Sequence, residues 1–546
     1  MSTAHGSASR RVALLAAGTI VTAAACSLAG CGDRAQAWDA GVTARQSLGL
    51  NRAVGLIDSA AQRLLLMSVQ GDLELAMQSY PLDPGFAQAL PTPDRERLLV
   101  LAHGVVPRRT ADDAPPSLSV YGGGATTPTE LLARYELTDP LSGLAVDPQS
   151  AYAVMYASAA DATSFVQNPN ELILTDLGRQ PAADNPFPLT VRSFGGTPQA
   201  FTFTPTLSLP GGQRRLLVVQ TDRDVAIVDL AHLDLPEITV KLTGGTQTLV
   251  PGGIAVSDGD PDPSTDTDAR LAIRLQNDPN VILVDLLPVP EPEIPTTPQS
   301  FRAQPNVVYV GGTPSDMAFV QTDGGLRLAA LIPAKHSLTL VDPVMGTTSE
   351  IDLGAAFDRL SLVTSIVGGT AQGSDVALLW SSSYPVVAFV ALGSTVGKPY
   401  KSIETLALAH PVASVIEVPA PNERLRILSA AGGTSFIVLD LLERTATPLT
   451  STTAQTVATV SPDGLRAWLH APGPWVSQLD LASLHPTNIS LSYTIDSVFD
   501  VARLDGGRAL LALHPIGATA VTVLDALAPS LTTAREYPAV LLGELP

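Results

Sequence analysis

A short apolar run that ends in aspartate recurs along most of this chain. The clearest copies are Val225–Asp229, Val281–Asp285, Leu338–Asp342 and Phe436–Asp440. Weaker copies are Leu172–Asp176, Val476–Asp480, Val521–Asp525 and, without the acid, Val386–Ala391. β-Branched runs of this length are typical of buried strands, and a terminal aspartate favours a turn. A unit that returns so often predicts a repeat fold.

Each copy follows a second pattern that contains a tight turn. Met317–Val320 leads through Asp323 and Gly324 into the apolar run Leu326–Ile332. An Asp-Gly pair between two such runs indicates a hairpin, because glycine adopts a positive φ at little cost. The unit is therefore predicted to be a strand, a tight turn, a second strand, a short loop, the strand that ends in aspartate, and a fourth connecting strand.

The fullest copy, Val310–Asp342, and the phrase Ser461-Pro462-Asp463-Gly464 resemble the YVTN-type β-propeller repeat of bacterial surface proteins, a relative in shape of the WD-repeat and lactonase-like propellers. This resemblance implies an all-β propeller of four-stranded blades over residues 50–546. Ten units are counted, with third strands near residues 74, 120, 174, 228, 284, 341, 390, 439, 479 and 524.

We expect one ring of roughly seven to ten blades, although propellers usually carry four to eight. The alternatives are that some units are elaborations within blades, or that two rings share the chain. We also expect the final segment, Ala534–Leu545, to complete the first blade and close the circle, since closure leaves no exposed sheet edge.

Composition excludes several classes of protein. Of 546 residues, 45% are hydrophobic and 15% are charged, so the chain is not disordered and has enough apolar residues for a large core. The formal net charge is −20 and no basic stripe is present, which argues against a nucleic-acid binder. Cys26 and Cys31 are the only cysteines, so the body has neither a structural disulfide nor a cysteine zinc site.

The N-terminus has the pattern of an export signal. Arg10 and Arg11 precede the apolar stretch Val12–Ala25, which is short for a membrane span. Leu28-Ala29-Gly30-Cys31 resembles the lipobox of bacterial lipoproteins, and the resemblance implies cleavage before Cys31 and acylation of its sulfur. We therefore expect a signal peptide at 1–30, a polar tether at 31–49, and a lipid-anchored protein of the cell envelope, at the periplasmic face or in the outer membrane.

Three alternatives apply to this segment. Cys31 is a bystander if an ordinary signal peptide is cleaved nearby. Cys26 is a second candidate, although the three alanines before it lack the leucine of a lipobox. Ser9-Arg10-Arg11-Val12 is a partial twin-arginine signal, which implies export of a folded chain. Removal of residues 1–30 takes away two arginines and no acid, so the mature formal charge is −22.

The most acidic segment contains five aspartates at close spacing: Asp258, Asp260, Asp262, Asp266 and Asp268. Carboxylates at alternate positions can converge on a hard cation such as calcium. The segment departs from the EF-hand loop, because Pro263 stands where glycine is needed and Ala269 where a bidentate glutamate is needed. The alternative interpretation is a solvated acidic insertion between two strands.

No catalytic residue is predicted. The eight histidines are scattered without metal-ligand spacing, and we expect them in surface loops, with convergence at the ring centre as the alternative. No nucleophile elbow, P-loop or dinucleotide fingerprint is present. The repeated acids are interpreted as turn-formers that cap backbone N–H groups, because a residue found in most units suits structure better than catalysis. They are Asp229, Asp285, Asp342, Asp440 and Asp480.

The sequence favours a non-enzymatic binding or scaffold propeller that is tethered to the envelope. Its expected partner is an envelope protein or a glycan, with no nucleic acid and no membrane contact beyond the lipid anchor, and no cofactor is expected apart from calcium. The first rival is an enzyme of the lactonase or quinoprotein type, with a metal or cofactor in the central channel. The second rival is a structural component of a surface layer.

Lipidation gives the first testable prediction. Cys31→Ser removes the sulfur that carries the diacylglycerol, so we expect the protein to leave the membrane fraction and the detergent phase of a Triton X-114 partition. Cys26→Ser is the matched control and should leave the distribution unchanged. Membrane retention of Cys31→Ser would contradict the lipobox assignment.

Overall fold

Ten four-stranded antiparallel sheets follow one another along the chain, within the described residues. The computed structural model describes residues 46–542 except 159–164, 192–195, 243–248, 260–268, 291–298, 368–369, 394–399, 434, 450–454 and 515–518. Each sheet is one blade, and its strands pair in chain order. The acylation site Cys31 and the signal segment lie outside the described residues. No helix among the described residues has the length and apolar character needed to cross a membrane.

The strands of the first five blades have the following bounds. Blade 1 contains β1 (Gln46–Gly49), β2 (Ala53–Asp58), β3 (Arg63–Val69) and β4 (Leu75–Pro81). Blade 2 contains β5 (Phe86–Pro91), β6 (Arg97–Ala102), β7 (Ser117–Gly122) and β8 (Leu131–Glu136). Blade 3 contains β9 (Gly143–Val146), β10 (Tyr152–Tyr156), β11 (Glu171–Asp176) and β12 (Phe187–Thr190). Blade 4 contains β13 (Pro198–Phe203), the inserted hairpin β14 (Leu207–Leu209) and β15 (Gly212–Arg214), then β16 (Leu216–Thr221), β17 (Asp224–Asp229) and β18 (Ile238–Lys241). Blade 5 contains β19 (Pro251–Ser257), β20 (Arg270–Leu275), β21 (Asn280–Pro288) and β22 (Phe301–Tyr309).

The remaining five blades repeat the same plan. Blade 6 contains β23 (Asp316–Thr322), β24 (Gly325–Ile332), β25 (Ser337–Val341) and β26 (Thr348–Asp352). Blade 7 contains β27 (Arg359–Val367), β28 (Thr370–Trp380), β29 (Val386–Ala391) and β30 (Ile403–Ala407). Blade 8 contains β31 (Val412–Glu417), β32 (Leu425–Ala430), β33 (Phe436–Asp440) and β34 (Thr445–Pro448). Blade 9 contains β35 (Val457–Val460), β36 (Arg466–His470), β37 (Gly473–Asp480) and β38 (His485–Ile495). Blade 10 contains β39 (Ser497–Ala502), β40 (Arg508–His514), β41 (Ala520–Asp525) and β42 (Arg535–Tyr537).

The middle strands of a blade are apolar on both faces because each face packs against a different neighbour. In β16, Leu216 and Val218 join the core shared with blade 5, whereas Leu217 and Val219 join the core shared with blade 3. Alternate side chains of a strand point to opposite faces, so a strand between two blades needs an unbroken apolar run. This is why the repeated sequence runs do not alternate with polar residues.

Ten apolar cores separate the ten blades, and each core is built from two neighbouring blades. The first strands of adjacent blades also lie side by side, as β5 does beside β9 and β23 beside β27. The series closes on itself, because one core joins Leu65 and Met67 of blade 1 to Leu511 and Val523 of blade 10. The described chain is therefore one closed ring of ten blades around a common axis.

Blade 1 and blade 10 close the ring without sharing a strand. The expected completion of blade 1 by the final segment is wrong: Arg535–Tyr537 pairs with β41 inside blade 10, and blade 1 uses only its own four strands. Closure depends instead on packing and a few hydrogen bonds, such as the Ala502 N–H to the Asn51 carbonyl oxygen at 2.7 Å. The Tyr537 hydroxyl donates to the Leu73 carbonyl oxygen at 2.9 Å and accepts from the Leu75 N–H at 3.1 Å.

The all-β propeller prediction is confirmed, and nine of the ten expected third strands contain the residue named for them. The first blade is the exception, since residue 74 follows a short 3-10 turn at Gly71–Leu73 and the third strand is Arg63–Val69. The propeller also begins at Gln46 rather than at residue 50. That four-residue strand is only half-buried, so its sequence carries a weak apolar signal.

Ring closure gives the second prediction. Tyr537→Phe removes both hydrogen bonds of the hydroxyl and leaves the Leu73 carbonyl and the Leu75 N–H without this partner, so the free energy of unfolding should fall by about 1–3 kcal/mol. Urea denaturation of the chain from residue 32 onward measures the change. Tyr384→Phe is the control, because the Tyr384 ring is 56% exposed, and it should change stability by less than about 0.5 kcal/mol. Equal effects of the two substitutions would contradict this account of closure.

Candidate functional site

The repeated aspartates lie at the ends of third strands and cap the turns that follow. The Asp342 carboxylate accepts hydrogen bonds from the N–H groups of Val344 and Met345, both at 2.9 Å. The Asp440 carboxylate accepts in the same way from Leu442 at 2.9 Å and Glu443 at 3.0 Å. Asp229 and Asp480 cap their turns in the same manner. The interpretation of these acids as turn-formers is confirmed for these blades.

A second feature of the repeat is an arginine that pairs with the capping acid. Its guanidinium reaches the acid from the second strand of the same blade or from the residues just before that strand. The pairs are Arg214–Asp229 at 2.7 Å, Arg270–Asp285 at 2.7 Å, Arg327–Asp342 at 3.2 Å and Arg424–Asp440 at 3.5 Å. The spacing in the sequence could have revealed these arginines, because an arginine lies 15 positions before the acid in the first three pairs.

These turns lie on one face of the ring, which we call the aspartate face. It is formed by the connections from first to second strands and from third to fourth strands. Near the axis on this face, turns and first strands of four blades enclose a cavity of about 540 Å³, which we call the mouth. Blades 1, 2, 8 and 9 line it through Asn51, Pro93, Asp94, Arg95, Ile416, Glu417, Pro419, Ala458, Thr459, Val460, Ser461 and Pro462.

The turn of blade 2 at the mouth is tied to both neighbouring blades. The Asn51 N–H of blade 1 donates to the Arg95 carbonyl oxygen at 3.0 Å, and the Asn51 side-chain amide donates to the Asp94 carbonyl oxygen at 2.8 Å. From blade 3, the Ser150 hydroxyl accepts the Asp94 N–H at 3.1 Å. Arg95 itself has a φ of 56°, a left-handed conformation that is uncommon for a residue other than glycine. These hydrogen bonds hold that conformation in place.

Glu96, beside the mouth, is held as a carboxylate by several donors. Burial alone would raise its pKa, but this is outweighed by hydrogen bonds from the Thr126 hydroxyl, the Thr126 N–H, the Asn51 amide and the Ala125 N–H. Together they lower the pKa of Glu96 to about 2. A carboxylate that stays ionised under these conditions fixes the loop 123–130 to the mouth and is unsuited to act as a general acid.

Other carboxylates around the mouth are also committed to protein donors. Asp94 accepts from the Thr92 hydroxyl at 2.5 Å and from the Glu96 N–H at 3.0 Å. Next to the mouth, the Asp463 carboxylate lies 2.6 Å from the Arg466 guanidinium. The side chain of Glu417 is exposed and lies 3.5 Å from Arg426. Asp94 and Asp463 therefore hold the turns in place, whereas the exposed Glu417 carboxylate and the half-buried Thr459 hydroxyl remain accessible at the described mouth.

A buried ion pair within blade 10, which also accepts a hydrogen bond from blade 9, supports the wall beside the mouth. Asp500 lies 2.6 Å from the Arg508 guanidinium and accepts the Trp468 indole N–H at 2.8 Å. Burial raises the pKa of Asp500, although Arg508 and Trp468 both favour its charged form. Burial and the like charge of Arg508 lower the pKa of Arg95, and Asp500 opposes this in part. The Arg95 guanidinium of blade 2 therefore lies in the electrostatic field of blade 10.

The expectation that histidines occupy surface loops is wrong for two of them. His470 and His514 are second-strand residues and are buried, because both faces of these strands are covered. The His514 ring bonds to the Thr494 carbonyl oxygen and the Thr522 hydroxyl, both at 2.9 Å. Burial lowers the pKa of both imidazoles. Within the described residues, no three histidine, cysteine or acidic side chains come together as metal ligands would.

Of the five aspartates proposed as calcium ligands, Asp258 alone lies within the described residues. Its carboxylate accepts the Ser208 N–H at 2.5 Å and the Ser208 hydroxyl at 3.1 Å, which ties the first connection of blade 5 to the inserted hairpin β14–β15 of blade 4. Asp260, Asp262, Asp266 and Asp268 lie outside the described residues. The calcium site therefore stays a prediction from the sequence.

The blade topology and the ten inter-blade cores define this chain as a ten-bladed β-propeller. Three solved structures similar to it, each over most of its length, are the dihydro-haem d1 dehydrogenase NirN in complex with DHE, AztD from Citrobacter koseri, and BBS1N in complex with ARL6DN. NirN is 13% identical, covers 76% of each chain and has a TM-score of 0.42. AztD is 13% identical, covers 80% of this chain and 92% of its own, and has a TM-score of 0.37. BBS1N is 10% identical, covers 68% of this chain and 94% of its own, and has a TM-score of 0.35. Neither a protein-family model nor a curated protein sequence matches the chain.

Glu96 gives the third prediction. Its pKa falls from 4.5 to about 2 on folding, so its ionised form stabilises the fold above pH 4.5 and this contribution is lost as the pH falls towards 2. Glu96→Gln should therefore lower stability near neutral pH, and the difference from wild type should shrink across that range. Urea unfolding at a series of pH values measures it.

The control for this substitution is Glu350→Gln, an exposed glutamate on the outer strand β26. It should follow the wild-type pH profile. A constant difference between Glu96→Gln and wild type from pH 4.5 down to 2 would contradict the assigned role of the Glu96 charge.

Proposed function

We propose that this chain is a membrane-anchored envelope lipoprotein whose propeller binds an envelope protein or glycan through the mouth, without transforming it chemically. The lipobox-like segment Leu28–Cys31 and the apolar stretch before it support the anchor. The mouth supports the binding role, because it is a concave site where four blades converge on the ring axis.

The observation that carries the binding role is that Glu96 and Asp94 at the mouth are committed to hydrogen bonds within the protein. Glu96 is held ionised with a pKa of about 2. The Asp94 carboxylate accepts hydrogen bonds from the Thr92 hydroxyl and the Glu96 N–H of its own turn. Proton transfer near neutral pH favours a group with a pKa close to the working pH. Groups that remain for a ligand include the half-buried Thr459 hydroxyl and the exposed Glu417 carboxylate. Such groups suit hydrogen bonding to a hydroxyl-rich or peptide surface.

The overall charge narrows the choice of partner. A mature formal charge of −22 repels anionic surfaces at long range and favours basic partners or partners bridged by cations. The ring is also rigid, since each blade is packed on both faces, so partner binding needs little rearrangement of the scaffold. A tethered, rigid and acidic disc is suited to a docking role in the envelope.

The fourth prediction tests the mouth as the docking site. Thr459 lies half-buried on the innermost strand of blade 9, and Thr459→Trp places a large ring in the cavity. Affinity capture from solubilised envelopes should recover a partner with the wild-type protein and lose it by at least about tenfold with this variant. Quantitative mass spectrometry of the captured material measures the ratio.

Thr347→Trp is the matched control, because Thr347 is exposed in the turn between β25 and β26 on the same face. It should retain the partner at the wild-type level. Equal capture by the two tryptophan variants would place the partner away from the mouth. A stoichiometric metal ion in the purified protein would favour the enzymatic rival over the binding role.

A further inference from the structure

Two neighbouring blades carry unusually long connections on the face opposite the aspartate face. The connection between second and third strands spans 103–116 in blade 2 and 157–170 in blade 3. In the other eight blades it spans no more than five residues, as in 222–223 of blade 4 and 381–385 of blade 7. The blade 2 connection contains no helix or strand, and loops of this length without secondary structure are uncommon in compact domains and usually serve a function. The described residues of the blade 3 connection lie on the adjacent blade.

The blade 2 connection, together with Phe165 and Gln167 of blade 3, lines a cleft of about 780 Å³ between the two blades. Small-molecule sites usually measure about 300–1,000 Å³, so the cleft has the right size for a ligand. Three of its lining side chains are apolar and exposed: Val105 by 38%, Val106 by 36% and Phe165 by 59%. Pro107, Pro116 and Pro140 add to the apolar wall. Exposed apolar groups that gather in one concavity are typical of a binding surface.

Two arginines complete the lining of the cleft. Arg108 donates to the Ala111 carbonyl oxygen at 3.2 Å, and within the described part of the chain neither it nor Arg109 lies within salt-bridge distance of a carboxylate. The Asp113 carboxylate accepts the Arg109 N–H at 2.7 Å and the Thr110 N–H at 2.9 Å, which shapes the tip of the loop. The base of the loop is closed by the Val105 N–H, which donates to the Ala114 carbonyl oxygen at 2.9 Å.

Two further polar groups line the floor of the cleft. Asp139 is 5% exposed, and its carboxylate accepts the Asn168 N–H at 3.3 Å. The Nε2 atom of His103 is buried and has no hydrogen-bond partner. A buried polar atom without a partner costs free energy unless something fills its hydrogen-bonding capacity. A ligand in the cleft would supply that partner.

We propose that this cleft binds a small organic anion with an apolar body. Its carboxylate or sulfonate would contact Arg108 and Arg109, and its apolar part would pack against Phe165 and the two valines. Arg108 and Arg109 outnumber the one carboxylate that lines the cleft, Asp139, in a chain whose acidic residues outnumber its basic ones by 52 to 32. The cleft lies on the other face of the ring from the mouth, so this site is independent of the proposed docking function.

The fifth prediction uses 8-anilinonaphthalene-1-sulfonate as the probe and the detergent-free chain from residue 32 onward, which contains every described strand. We expect saturable fluorescence enhancement at one dominant site. Arg108→Gln combined with Arg109→Gln should weaken the affinity by about tenfold or more. Phe165→Ala should weaken it as well, because the aromatic wall is removed. Melting temperatures of the variants verify that the fold is retained.

The control variant is Arg223→Gln with Lys335→Gln, which removes the same charge from connections on the same face. It should bind the sulfonate like the wild type. The neutral analogue N-phenyl-1-naphthylamine provides the second readout: the arginine variant should bind it normally and Phe165→Ala should bind it weakly. Sulfonate affinity that is the same in the arginine variant and the control, or the absence of saturable binding, would overturn the proposal.

Discussion

The structure depends on the burial of both faces of every blade against its two neighbours. A single four-stranded sheet cannot be stable with two apolar faces in water, and stacking in a line would leave the two terminal blades exposed. Here the tenth blade packs on the first through Leu511, Val523 and their neighbours, so both faces of every blade are covered among the residues that the structure describes. The absence of a strand shared between blades 1 and 10 makes this interface responsible for closure.

Electrostatics in this ring serve mainly to shape turns. An acid such as Asp342 caps the turn after the third strand and pairs with an arginine on the second strand, and this arrangement recurs around the aspartate face. Near the axis the Glu96 carboxylate also serves as a structural hydrogen-bond acceptor, and its donors come from blades 1 and 2. Because these carboxylates are occupied, the surfaces that we propose as functional, the mouth and the cleft, depend on other side chains such as Thr459 and Phe165.

Much of the fold was predictable because the strongest signal is local and repeated. An apolar run buried on both faces locates the third strand in nine blades, and in seven of these the run ends in an aspartate. Blade 1 lacks the acid at that point, and its first strand is short and half-buried, so its boundaries were misplaced. The burial of His470 and His514 and the cleft itself depend on which residues of different blades come together, and spacing along the chain does not reveal that.

The central claim, a ring that is closed between its first and last blades, is tested most directly by hydrogen exchange with mass spectrometry. If the ring is closed, the amides of β2, β3, β40 and β41 will be as protected as those of β24 and β25 in blade 6, because all of them lie between two packed neighbours. If protection instead declines progressively from the central blades towards both ends of the chain, the terminal blades fray and the ring is not closed.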